Sequence, residues 1–323
     1  MLPSCNVIHV QCLGHCQVYL PKGMQLCDGS KELEVVLRLA KRAEYFGLRS
    51  STSREVKKET MFLLCSLAQR HPLLTTLAAN GLRYNWSWFH VHFDFEAWLC
   101  ASWVGWEEGK REVANTMSAN VKQTHIPPKG CPFYVLNNIF VNGPLQSEVL
   151  TKLGLPAHHD PHEWWRALDD VLNERFPDDP KAFPLCFRKD GSLAATSVNR
   201  AYFLTHVVML ICSYGQVAPL SIVRLSKSTM LLLKSTIECY WEQTSAYVDK
   251  NEEVHWELCS ALQCLEVDRH EIRRTQAELT SRFENVAIEP SAVSLGSMYT
   301  EMHYHFLAGV LVAGPARVIT NYM

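Results

Sequence analysis

The stretch from Asn199 to Pro219 is the most apolar of the chain, and it constrains the fold more than any other. Its aliphatic text is interrupted once, by Thr205-His206, and it closes on Tyr214-Gly215. A helix apolar nearly all round is buried in the core of a sizeable domain. Polar groups set into such a helix need partners there, or they cost stability.

The chain is long enough for that core. Its 323 residues, 47% hydrophobic and 20% charged, have globular composition. The expected organisation is an irregular leader over residues 1–30 and a single all-helical domain over 31–323. A net charge of −2, with 31 basic and 33 acidic residues, leaves no basic stripe interleaved with aromatics. Nucleic acid is therefore not an expected partner. No uninterrupted apolar run reaches the ~18 residues of a membrane-spanning helix, so no membrane partner is expected either.

Several of the twelve cysteines sit in apolar helical text, where a free thiol behaves as a small hydrophobe. No positively charged leader precedes an apolar run at the N-terminus. These features predict reduced thiols and a cytoplasmic location. Cys5, His9, Cys12, His15 and Cys16 lie close together, but their spacing fits no recurrent zinc module.

Helical periodicity covers most of the chain beyond the leader. Helices are predicted over 32–46, from the Ser51-Thr52-Ser53 caps to about Arg70, and over Leu73–Ala79 with Asn80-Gly81 as the stop. His90 to Glu96 alternates as a strand would. Asp94 is also a good cap for a helix over 95–106, and the helical neighbours favour that choice. A helix is predicted over 110–121, a loop over 123–144 and a short helix over 146–153. Asp160-Pro161 with Glu163 forms a capping box that starts a helix over 161–176. A second loop runs to about Ser197.

Beyond the Asn199 stretch come helices over 222–247, over 252–265 capped by Asn251, and over 271–283 capped by Asp268. The last begins at Ser294 or Ser297. Apolar helices alternate with charged ones, as the inner and outer layers of an α/α toroid or helical-pair solenoid would. The expected fold class is all-α, with roughly a dozen helices.

Polar groups fall on the apolar helices in three clusters: Thr205-His206; His255 and Glu257 beside Trp256; and Glu301, His303 and His305. Asp94 and Glu96 add a fourth. A histidine beside a carboxylate in a pocket serves as acid or base. The plain alternative is a core histidine bonded to a carbonyl or a threonine.

The candidate catalytic residues are His206, Glu257, Glu301 and His305, with Thr205 orienting His206. The candidate substrate-binding residues are Asp94, Trp98, Tyr202, Thr205 and Trp256. Glu301 and His305 share a helix face, whereas His303 and His305 face apart. His158, His159, Asp160 and His162 look like a metal site, but Asp160 is better used as a cap. No motif requires a cofactor. A single divalent metal is possible, and one reading places it on His206, Glu301 and His305. Nucleotide-loop, nucleophile-elbow and zincin patterns are absent.

Thr205-His206 with Tyr214-Gly215, then Trp256-Glu257-Leu258, then Tyr304-His305 before a small-residue helix, resembles a bacterial all-helical family found near natural-product genes. The resemblance covers roughly residues 200–312. Cys212-Ser213 stands where that pattern has acidic text. The resemblance implies an α/α arrangement and a role in specialised metabolism.

The function expected is a tailoring or cyclising enzyme. It would act on an apolar small molecule or peptide by acid–base chemistry in an aromatic-lined cavity. The competing expectation is a helical scaffold that grips a peptide or a carrier protein. The sequence leaves self-association open.

Overall fold

The computed structural model describes residues 6–11, 17–22, 54–70, 74–92, 94–120, 125–212, 225–265, 267 and 269–283. Strands β1 (Asn6–Gln11) and β2 (Gln17–Lys22) pair antiparallel, with His9 opposite Tyr19. Cys5, Cys12, His15 and Cys16 lie outside the described residues, as does the helix expected over 32–46. From residue 54 onward the described residues are helical, joined by turns, two short 3-10 turns and one isolated bridge. The chain divides into two compact units, residues 1–113 with 274–313 and residues 114–273 with 314–323.

In the first unit, α1 (Arg54–Arg70), α2 (Thr75–His92) and α3 (Asp94–Trp103) pack on one another. Met61, Leu64, Cys65, Leu82, Phe89, Leu99 and Cys100 form its core. The ambiguous text over 90–96 is helical on both sides of residue 93. The stop expected at Asn80-Gly81 is overturned, because α2 runs through it. Asn85 Nδ2 donates to the Gly81 carbonyl at 3.0 Å, and a Cβ on Gly81 would stand 3.4 Å from Met61 Cε. That glycine sits inside the helix, with room for a Cβ, and does not end it. Helix α4 (Glu107–Asn120) comes next in the chain.

The second unit holds α5 (Phe133–Phe140), α6 (Gly143–Lys152), α7 (Pro161–Arg175), α8 (Ala195–Ile211), α9 (Lys227–Ser245) and α10 (Glu252–Cys264). Helix α11 (His270–Phe283) crosses the boundary between the units. Helix α8 packs against α5, α9 and α10, and α7 packs against α6. Helix α8 is the expected apolar helix, with Ala201, Phe203, Leu204, Val207, Val208, Leu210 and Ile211 buried.

The capping box of α7 is present: Asp160 accepts from the His162 amide at 2.7 Å, and Glu163 accepts from the Asp160 amide at 3.3 Å. Two expectations fail in this unit. The region 123–144 is not one loop, since it contains α5. Asn251 does not cap α10 with its side chain. That amide bonds Leu193 N at 2.8 Å, Gly191 O at 2.9 Å and Tyr247 O at 3.0 Å, tying the 187–193 turn to α10.

Buried Arg200 pins the 177–198 segment. Its guanidinium donates to the Phe183 and Pro184 carbonyls, to Tyr240 Oη and to Ser197 Oγ, and lies 3.8 Å from the Phe183 ring centroid. Tyr240 also donates to Phe183 O at 2.9 Å, and its pKa is pushed up to about 12 by burial, against the pull of Arg200.

Candidate functional site

Helices α5, α8 and α10 bring four polar side chains together in the second unit. Thr205 Oγ1 donates to Glu257 Oε2 at 2.7 Å and also meets the Tyr202 carbonyl at 3.1 Å. His206 Nε2 stands 3.7 Å from the same Glu257 oxygen. His206 Nδ1 lies 2.6 Å from Asn137 Oδ1. Tyr202, one turn back on α8, stacks on the His206 ring with planes 9° apart.

The burial is graded. The Glu257 side chain is 3% exposed and that of His206 is 30% exposed. A carboxylate out of water costs several kcal/mol unless it is paired; Thr205 bonds it directly, and His206 pairs with it when the imidazole is protonated. Asn137 Oδ1 can only accept, so Nδ1 carries a proton toward it. Nε2 is then the nitrogen that exchanges protons, and it faces the buried carboxylate at an ion-pair distance longer than a hydrogen bond.

The sequence placed His206, Thr205, Glu257 and Tyr202 among the site residues, and the structure gathers all four. It corrects one role: Thr205 does not orient His206. Successive residues on a helix point about 100° apart, so the hydroxyl reaches across to α10 instead. The orienting group is Asn137, which was missed because it sits in the helix expected to be a loop. Its signal was the spacing of Phe133, Leu136 and Phe140, one face of a helix.

The other candidates lie elsewhere. Trp256 is buried on α10, on a different face from Glu257. Asp94 and Trp98 belong to the first unit, where Trp98 stacks on Phe95 and lies under Lys110 Nζ at 5.7 Å. Glu96 there pairs with Lys58 at 3.4 Å. Glu301, His303 and His305 lie outside the described residues, so the metal set of His206, Glu301 and His305 does too.

His255 is a core histidine. It shares a 2.9 Å hydrogen bond with Thr244 Oγ1, stacks on Trp241, and burial lowers its pKa to about 4. It is neutral near pH 7 and supplies no proton there. The Cys100 thiol is pushed up, by burial first and then by Cys65 and Glu96, so it is an inert core group. The described cysteines are free thiols, and no described helix is long and apolar enough to cross a membrane.

A second cluster lies at the start of α7. His158 Nε2 and His125 Nδ1 are 2.9 Å apart, and His159 joins them with its ring centroid 4.5 Å from that of His158. Desolvation within the cluster and the neighbouring His159 and His125 lower the His158 pKa. Asp160 and His162 do not take part: the Asp160 carboxylate caps α7. His125 was not foreseen, since a lone histidine ahead of Ile126-Pro127-Pro128 carries no signal of its distant partners.

No protein-family model matches the chain, and no curated protein or solved structure matches it.

Proposed function

We propose that the chain is an enzyme that tailors or cyclises an apolar small molecule or peptide by acid–base chemistry at His206. One observation carries this reading: an imidazole held at Nδ1 by Asn137 presents Nε2 beside a buried carboxylate, while its side chain keeps 30% of its exposure. A core histidine kept only for packing has no use for that graded exposure. In this reading His206 gives and takes the proton, and Glu257 stabilises the imidazolium. Thr205 fixes the carboxylate, and Tyr202 holds the ring plane.

The resemblance of residues 200–312 to a family found near natural-product genes supports specialised metabolism as the setting. Helices α8 and α10, the most buried of the second unit, would be inner helices of an α/α toroid-like arrangement.

The test is substrate consumption, monitored by mass spectrometry, across a panel of apolar small molecules and peptides. His206→Gln and Glu257→Gln are expected to lower turnover of any converted compound by roughly 10²–10⁴-fold, the usual contribution of a positioned acid or base. Equal turnover by both variants would sink the assignment.

A further inference from the structure

We propose that His125, His158 and His159 form a binding site for one divalent transition-metal ion of the zinc class, with its fourth position open to solvent. The ligand nitrogens of the three imidazoles all lie within 4.8 Å of one another. A tetrahedral zinc with bonds of about 2.0–2.1 Å spaces its nitrogen ligands at roughly 3.3 Å. The His125–His158 edge, at 2.9 Å, is already on that scale. The His159 nitrogen completes the set within the same 4.8 Å. Imidazole donors with no sulfur and no carboxylate select zinc, copper or nickel over magnesium or calcium.

Two further features belong to a built site rather than to a chance meeting of surface rings. Glu163 Oε2 lies 3.3 Å from His159 Nδ1. A carboxylate accepting from one ring nitrogen turns the other toward a metal and raises its basicity. The same Glu163 is fixed by the capping box of α7, so the helix start orients the ligand.

The backbone is also pinned. Ser147 Oγ on α6 donates to the His159 carbonyl, and the His159 ring meets buried Trp164 edge-on. His125 enters on Ile126-Pro127-Pro128, whose fixed dihedrals restrict the approach of the chain. His125 and His158 are exposed, so an ion has a path in. Three protein ligands with one place left open is the arrangement of a zinc that binds water or a ligand rather than of a closed structural site.

The experiment is a zinc(II) chloride titration of the full chain in competition with a chromophoric chelator. Wild type is compared with His125→Ala, His158→Ala, Glu163→Gln and His162→Ala. The two ligand variants are expected to lose one tightly held equivalent. Glu163→Gln keeps the helix cap, because glutamine serves at that position, and is expected to bind roughly tenfold more weakly. His162→Ala, outside the ligand set, is expected to bind as wild type does. All variants carry the same cysteines, so zinc held on thiols cancels in the comparison. The proposal is overturned if His125→Ala and His158→Ala hold the same zinc with the same affinity as wild type. It is equally overturned if wild type draws no zinc from the chelator. Neither readout depends on catalysis at His206.

Discussion

The hydroxyl of Thr205 stands 2.7 Å from an oxygen of Glu257, a residue 2% exposed. A hydrogen bond to a charged group in such a place contributes about 1.5–3 kcal/mol. Thr205→Val keeps the shape and removes the donor, so it is expected to lower stability by about 2 kcal/mol in urea unfolding. The loss should shrink when Glu257 is already glutamine, because the acceptor then carries no charge and the bond is weaker. A loss in Thr205→Val that is unchanged in the Glu257→Gln background would show that the two side chains do not depend on each other.

His255 gives the opposite kind of test. Its folded-state pKa, about 4, lies below the ordinary value of 6.5. Between those values the unfolded chain binds the extra proton, so stability is full above pH ~6.5 and falls as pH drops toward 4. From pH 7 to pH 5 the expected loss is about 2 kcal/mol. His255→Gln should remove that part of the slope in urea midpoints measured at both pH values. The residue types of the site were readable in the sequence, since polar groups in apolar helices must be partnered. Which group partners which was not, because Asn137 and His206 lie 69 positions apart and meet only through packing.

Glycines at two helix contacts separate propensity from packing. A Cβ on Gly143, at the start of α6, would stand 2.6–2.9 Å from ring carbons of Trp164, which is itself 1% exposed. The Trp164 ring is enclosed and touches Phe140. Gly143→Ala is expected to cost about 1–3 kcal/mol by overpacking. A Cβ on Gly81, inside α2, would meet the flexible end of Met61 at 3.4 Å. Gly81→Ala should be neutral or stabilising by up to about 1 kcal/mol, the ordinary gain of alanine over glycine in a helix. Urea midpoints of the two variants should therefore move in opposite directions, and a shared direction would refute the packing argument.

The same elements show how far local signals reach. Helix α7 was legible in full because Asp160, Pro161 and Glu163 state its start chemically. Helix α5 was not, because Pro132 and Asn142-Gly143-Pro144 look like loop punctuation. In the structure Pro132 stands just ahead of α5 and Pro144 lies in the first turn of α6, where a missing N–H costs nothing. Asn80-Gly81 misled in the other direction: the pair that often ends a helix here lies inside α2, which runs on to His92.

At the scale of the whole chain, the second unit is built largely from one continuous run, residues 114–273, whereas the first is assembled from residues 1–113 and 274–313. The continuous run contains α5 to α10, the buried Trp164, Phe203, Tyr240 and Leu258, and both members of the Thr205–Glu257 pair. It also contains Arg200 with its acceptors and His255 with Thr244. The buried Thr205–Glu257, Arg200 and His255 groups all find partners within this one run, which is what a separately folding unit needs. A fragment of residues 114–273 is therefore expected to fold alone, with a helical circular-dichroism spectrum and a single cooperative urea transition. The decisive readout is the His255 signature, since it reports native burial at a named position and not merely helix content. The fragment's midpoint should fall between pH 7 and pH 5 by the same amount as in the full chain. Helical content with a broad transition and no pH dependence would be the mark of a collapsed state without fixed packing, and would show that this unit needs the rest of the chain to close its core.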